Sequence, residues 1–235
     1  MKIRSRLLPA VAVLSLSIAT IAAVAPSGGN IYIDGKQKFT FVGTESRNGQ
    51  FAEKTTDYFN ESGKIIAKDW TRYYTSTLEV IESSTMNYIT GGAEKTSRSD
   101  SRSYRLEYKK NASSKTEYKD IAEKKPVMSK SLLAERISRS YDEIAAGKSI
   151  EFRLIVPSRL ESIGFELKKE KEETVRGKLC LKISLRASSW IIRQFAGNIA
   201  FWADVNPPHV LVQYEGRVIP TDSEGNMLSG KIIYK

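Results

Sequence analysis

His209 is the chain's one histidine and Cys180 its one cysteine, so acid–base and nucleophilic chemistry have few places to reside. Acyl transfer by a Ser-His-Asp or Cys-His arrangement needs an imidazole beside the nucleophile. His209 follows Pro207 and Pro208 at the start of the strand-like run HVLVQYEGRV, and no G-x-S-x-G elbow accompanies it. It reads as a turn residue. Cys180 lies in KLCLKISLR, where a small strand residue is expected and no histidine stands near to make a thiolate. Zinc needs three or four His, Cys or carboxylate ligands, so no metal and no cofactor is expected. TDSEGN (221–226) has part of a calcium loop in Asp222, Glu224 and Asn226. Its glycine is misplaced, and Ile233 stands where the bidentate glutamate belongs, so a hairpin turn is the better reading. GKS (147–149) lacks the first glycine of a phosphate loop, Asp142 taking its place. The many acidic residues leave one catalytic option open, a hydrolase with two carboxylates across a cleft, and nothing in the sequence selects the pair.

Three stretches stand out without naming a reaction: VPSRLESIGFEL, SSWIIRQFAG and VLVQYEGRVIP. If strands in these regions line a container, Phe152, Leu154, Phe165, Phe201, Val212 and Tyr214 are its inward residues, with Leu181 and Ile183. Arg159, Arg193 or Arg217 would meet an anionic headgroup, and the turn from Trp190 to Phe195 would form a lid. The competing reading is that these apolar groups fill their own core.

The elements that must position them are strands. Turn signals recur at Asp34-Gly35, Asn48-Gly49, Ser62-Gly63, Gly91-Gly92, Arg176-Gly177, Glu215-Gly216 and Ser229-Gly230, with β-branched and aromatic runs between them. Period-two alternation places Tyr104, Leu106 and Tyr108 on one face. It likewise groups Ile150, Phe152, Leu154 and Val156, then Leu179, Leu181, Ile183 and Leu185, then Val210, Val212 and Tyr214. Helical spacing of Leu132, Leu133, Ile137, Tyr141 and Ile144 predicts one amphipathic helix over 131–146, capped by Ser131 and stopped by Gly147. A shorter helical turn is predicted at 188–197. The polar segment 109–126 reads as an exposed excursion. The fold class is therefore mainly β: an antiparallel barrel or half-barrel of strands, one helix, then strands, with the helix packed on the sheet.

MKIRSR followed by the apolar run Leu7 to Ala25 has the form of a secretory signal peptide, cut after Ala22, Ala23 or Ala25. That leaves 26–235 as a single β-rich domain, periplasmic, with no stable membrane span once the signal is removed. The formal net charge is +10, of which Lys2, Arg4 and Arg6 belong to the leader. The balance favours anionic partners such as lipid headgroups, and export disfavours nucleic acid. One cysteine in an exported chain means no internal disulfide.

The runs YDEIAAGKSIEFRLIVPSRLESIGFEL, RGKLCLKISLRASSWIIRQFAGNIAFW and HVLVQYEGR resemble a family of exported, functionally uncharacterised Gram-negative periplasmic proteins, over about Gly63 to Pro220. More distantly the pattern is similar to the half-barrel of periplasmic lipoprotein carriers, whose concave apolar face holds acyl chains. It departs from them in its one long helix and in its strand spacing. The expectation is a non-enzymatic binding protein for a lipid, an acyl chain or another amphipathic anionic ligand. The alternative is an envelope scaffold or adaptor with a protein partner, a filled barrel and an exposed patch built from Tyr73, Tyr74 and Tyr88. The carboxylate-pair hydrolase stands third.

Overall fold

The computed structural model describes residues 22–189 and 198–235, the side chains of 22–26 aside. Its strands are β1 (Ala22–Ile33), β2 (Lys36–Asn48), β3 (Phe51–Asn60), β4 (Ile65–Tyr74), β5 (Val80–Asn87), β6 (Ala93–Arg98), β7 (Ser103–Lys109) and β8 (Glu117–Ala122), then β9 (Val127–Met128), β10 (Ile150–Val156), β11 (Glu161–Val175), β12 (Lys178–Ala187), β13 (Ile199–Asp204), β14 (Leu211–Thr221) and β15 (Met227–Tyr234). All belong to one sheet of 15 strands, in the order 8-7-6-5-4-3-2-1-15-14-13-12-11-10-9. Chain neighbours pair antiparallel everywhere except at β8 and β9, which do not pair; β9 instead lies parallel to β10. The first and last strands close on each other, Gly29 opposite Tyr234. The sheet is thus open at the one step where the chain runs from β8 to β9, and the barrel is not closed by hydrogen bonds.

Side chains close it instead. Ile150, Phe152 and Leu154 lie on the face of β10 that meets Ile163, Phe165 and Leu167. Ile155, on the opposite face, packs with Val127, Val80, Tyr104 and Leu106. The inner face of β5–β7 therefore covers the outer face of β10, and the sheet is a roll with overlapping ends. A clasp holds the overlap. Arg153 Nε lies 3.1 Å from Glu123 Oε2, and Ser162 bonds both Arg153 and Glu123.

The predicted helix is present but broken. A 3-10 turn (Lys130–Leu132) leads into α1 (Leu133–Arg139) and then α2 (Tyr141–Ala145). At Ser140 the backbone leaves the helical region, with φ −107° and ψ 11°. Ser131 does not cap: its hydroxyl lies 2.8 Å from that of Thr71. The C-terminus ends as expected. Gly147, at φ +86°, donates to Ile144 O and Lys148 to Glu143 O, the paired bonds of a Schellman turn. Leu132, Ile137, Tyr141 and Ile144 are buried among Ala52 and Tyr73 on one side and Leu167, Leu181 and Ile183 on the other. The segment packs on the concave side of the sheet and fills that part of the roll.

Two strand readings change. Leu211 pairs with Ala203 and Gln213 with Trp202, so Val212 is the extra residue of a bulge. It packs on the outer face with Cys180 and Trp202, while Tyr214 stays inside; Val210 and Leu179 are exposed. The 109–126 segment is exposed as expected, but it contains β8, an edge strand paired to β7. The predicted turn at 188–197 lies outside the described residues from 190 on. β1 begins inside the expected leader, and its register breaks between Val24 and Ser27. A second shift follows between Ile31 and Tyr32.

Candidate functional site

The inner face of the roll has two halves of different chemistry. On β10–β14 it is apolar. Phe152 faces Phe165 at 6.4 Å between ring centroids, and Phe201 faces Tyr214 at 5.0 Å. Leu154, Leu181 and Ile183 share the same cluster. Seven of the eight expected lining residues, Phe152, Leu154, Phe165, Leu181, Ile183, Phe201 and Tyr214, are thus brought together, but against the chain's own helical segment. Val212 is turned outward by the bulge. Tyr214 folds back so that its hydroxyl donates to Arg217 O at 2.7 Å, crossing Gly216. Burial pushes the Tyr214 and Tyr234 phenols well up from their ordinary range.

Of the cationic candidates, the two described residues, Arg159 and Arg217, are exposed. Arg159 pairs with Glu161 at 2.7 Å on the exposed turn after β10. Arg217 is an exposed residue of β14, its Nη1 3.6 Å from Met227 Sδ. Glu215 pairs across the strands with Lys231 at 3.1 Å. Trp190 and Arg193 lie outside the described residues. The expected tyrosine patch does not form either. Tyr73 is fully buried, Tyr74 packs on Phe51 at 5.2 Å, and Tyr88 alone of the three is well exposed.

Across the middle of β3–β6 the inner face carries a polar patch, with Tyr58, Tyr73, Tyr104 and Leu106 buried around it on the same face, which the sequence reading missed. Thr56, Asp69, Thr71, Thr85, Glu94 and Thr96 occupy cross-strand positions on one face. Ser129, Lys130, Ser131 and Glu135 come down onto them. Lys130 donates to Glu94 at 2.9 Å and Lys54 to Glu135 at 2.7 Å. Asp69 accepts a 2.6 Å bond from Thr85. Burial raises the Asp69 carboxyl above its ordinary range and Glu94 adds to this, against the opposing pull of Lys130 and of the Thr85 bond. Thr96 Oγ1 is buried and has no partner among the described residues. It lines a cavity of about 10 Å³ with Ser83, Thr85, Glu94, Ser129 and Lys130. That is room for one water. Glu94 lines this cavity; Asp69, on the same face, does not.

The two reactive side chains are held in structural roles. His209, at φ +58°, stacks flat on Tyr141 at 3.7 Å, and its Nδ1 lies 3.2 Å from Asp204 O. It is a turn residue, as read. Cys180 is fully buried, and burial raises its thiol pKa. Asp222 accepts from the backbones of Glu224 and Asn226, forming the hairpin turn read from TDSEGN. Among the described residues no group of three or more His, Cys, Asp or Glu is placed to hold a metal, and no helix is long and apolar enough to cross a membrane.

A rolled antiparallel sheet around a short helical segment defines a β-barrel-like protein. No protein-family model matches the chain, and no curated protein matches its sequence. Two solved structures have a related outline. One is a beta-barrel-like protein of the domain of unknown function DUF1849 from Brucella abortus. It has TM-score 0.47 and 8% identity, over 89% of this chain and 96% of that one. The other is a presumed exported protein with a YmcC-like fold from Bacteroides fragilis. It has TM-score 0.30 and 10% identity, over 89% of this chain and 94% of that one. Likeness at this level carries no functional argument, and none is drawn from it.

Proposed function

We propose that the protein is a non-catalytic component of the cell envelope that works through its outer surface, as an adaptor or scaffold for other envelope components. The carrying observation is that Leu132, Ile137, Tyr141 and Ile144 occupy the apolar half of the roll, where a ligand would otherwise lie. Burying four such side chains is worth roughly 6–12 kcal/mol at 1.5–3 each. An acyl chain taking their place, at about 0.8 kcal/mol per CH₂, needs about 8–15 buried methylenes merely to match them. The leader-like N-terminus supports placement in the periplasm.

The container reading keeps one supporting observation. Phe152, Leu154, Phe165 and Phe201 share one concave face, and the segment covering it is fastened to the opposite wall by polar contacts from Lys54, Thr71 and Thr75. In that reading the segment swings out, Trp190 closes over the chain, and Arg193 or Arg217 meets the headgroup. Native mass spectrometry of protein purified from the periplasm without detergent separates the two. A bare mass with no uptake of offered lipids is expected for the filled body. A reproducible lipid adduct, weakened by Phe201→Ala, would overturn the adaptor reading in favour of the container.

A further inference from the structure

Successive strands alternate in direction, so one end of the roll gathers, among others, the turns β1–β2, β3–β4, β5–β6, β7–β8 and β14–β15. Contacts tie these tips together. Asn87 donates to Thr221 at 2.6 Å, joining the β5–β6 and β14–β15 hairpins. Ala112 N donates to Thr90 O, joining β7–β8 to β5–β6. Tyr88 N donates to Ile66 O, and Lys38 pairs with Glu61 at 3.4 Å. The tips therefore form one surface.

Its composition is unusual for a solvated rim. Ile65 (41% exposed), Tyr88 (53%), Ile89 (46%) and Met227 (51%) project there. Beside them stand Lys36, Lys64, Lys110 and Lys115, exposed and without an ion pair among the described residues. Of the acids at this end, Glu61 is taken by Lys38 and Asp222 is committed to its own turn; Asp34, Glu117 and Glu224 remain, fewer than the lysines. Apolar and aromatic side chains at turn tips, ringed by uncompensated lysines, match the chemistry of an anionic bilayer surface. There amphipathic rings enter the headgroup region and each lysine adds attraction.

We propose that this hairpin-tip end docks on an anionic membrane surface. Tyr88, Ile89 and Ile65 enter the interface, and Lys64 and Lys110 bind the lipid phosphates. The proposal does not depend on the adaptor reading, since a carrier would need the same contact.

Flotation with vesicles tests it: phosphatidylcholine alone against equal parts phosphatidylcholine and phosphatidylglycerol, at low and at high salt. The full chain is expected to float with the anionic vesicles only, and less at high salt. At about 1 kcal/mol per lysine near the surface, Lys64→Glu with Lys110→Glu should lower bound protein at least about tenfold. Tyr88→Ser with Ile89→Ser should lower it several-fold at unchanged charge. Lys168→Glu with Arg176→Glu, away from these tips, should leave binding intact. Circular dichroism confirms that each variant is folded. The proposal is overturned if the wild type fails to float, if it floats equally with neutral vesicles, if the tip variants float like wild type, or if the distant pair loses as much. A wild type that ignores vesicles would turn the surface over to a protein partner.

Discussion

Lys54 on β3 donates to Glu135 on α1 at 2.7 Å, and both side chains are largely buried. This bond joins the wall of the roll to the segment that fills it. Glu135 Oε2 has no partner among the described residues, so the pair is only half satisfied. Removing one member leaves a partly buried charge alone, whereas replacing both removes the desolvation cost with the attraction. Lys54→Ala or Glu135→Ala should each cost about 2–4 kcal/mol in urea unfolding. Lys54→Met with Glu135→Leu should recover most of that loss. Additive losses in the double variant would mean that the two side chains are uncoupled and the bond contributes nothing measurable.

Asp69 makes a second test of the polar half. Its folded pKa is raised above the unfolded value of about 3.9. A carboxyl raised by folding opposes stability while it is ionised. This group's contribution therefore improves as pH falls from neutral through the folded pKa, and levels off below the unfolded one. Asp69→Asn keeps an acceptor for the Thr85 hydroxyl and removes the charge. It should raise the melting temperature at pH 7, with the gain shrinking toward pH 4. A loss at pH 7 would show that Lys130 and Lys54 outweigh burial, and a gain of the same size at both pH values would show that it does not come from the charge.

This polar half marks the limit of what could be read from the residues. Alternation separates the two faces of a strand, and it worked for Phe152 and Leu154 or Leu181 and Ile183, where one face is apolar and must go inside. On β5, IESSTMN, and β6, AEKTSR, neither face is apolar. Hydropathy cannot say which one turns inward. It is settled by what covers them: Ser129, Lys130, Ser131 and Glu135, whose own polar groups make an inward polar face tolerable. The signal that could have found it was the absence of an apolar stripe on these two strands. The bulge at Val212 and the break at Ser140 escaped for another reason. Each follows from tertiary packing, Val212 against Trp202 and Tyr141 against His209. The open step at β8–β9 is likewise a property of the whole ladder.

Gly216 carries a steric prediction. Its φ is +154°, and a Cβ there would lie 2.5 Å from the Tyr214 hydroxyl oxygen. That hydroxyl is fixed by its bond to Arg217 O. Gly216→Ala should cost about 1–3 kcal/mol through overpacking. Adding Tyr214→Phe removes the nearest clashing atom and should return part of the loss. A double variant no better than Gly216→Ala alone would place the cost in the backbone.

Cys180 gives the simplest check on the outer face of β12. The thiol is fully covered, beside Trp202 and Val212, and burial raises its pKa. The Trp202 indole is itself held by a 2.8 Å bond to Glu173. Thiolate is the reactive form, so low ionisation and lack of access act together. Ellman's reagent at pH 8 should leave the native protein unlabelled over the time in which denatured protein reacts completely. Trp202→Ala removes the largest neighbour and should admit the reagent to otherwise folded protein. Rapid labelling of the wild type would mean that this face opens readily, and would move the search for a binding surface to β12 and β13.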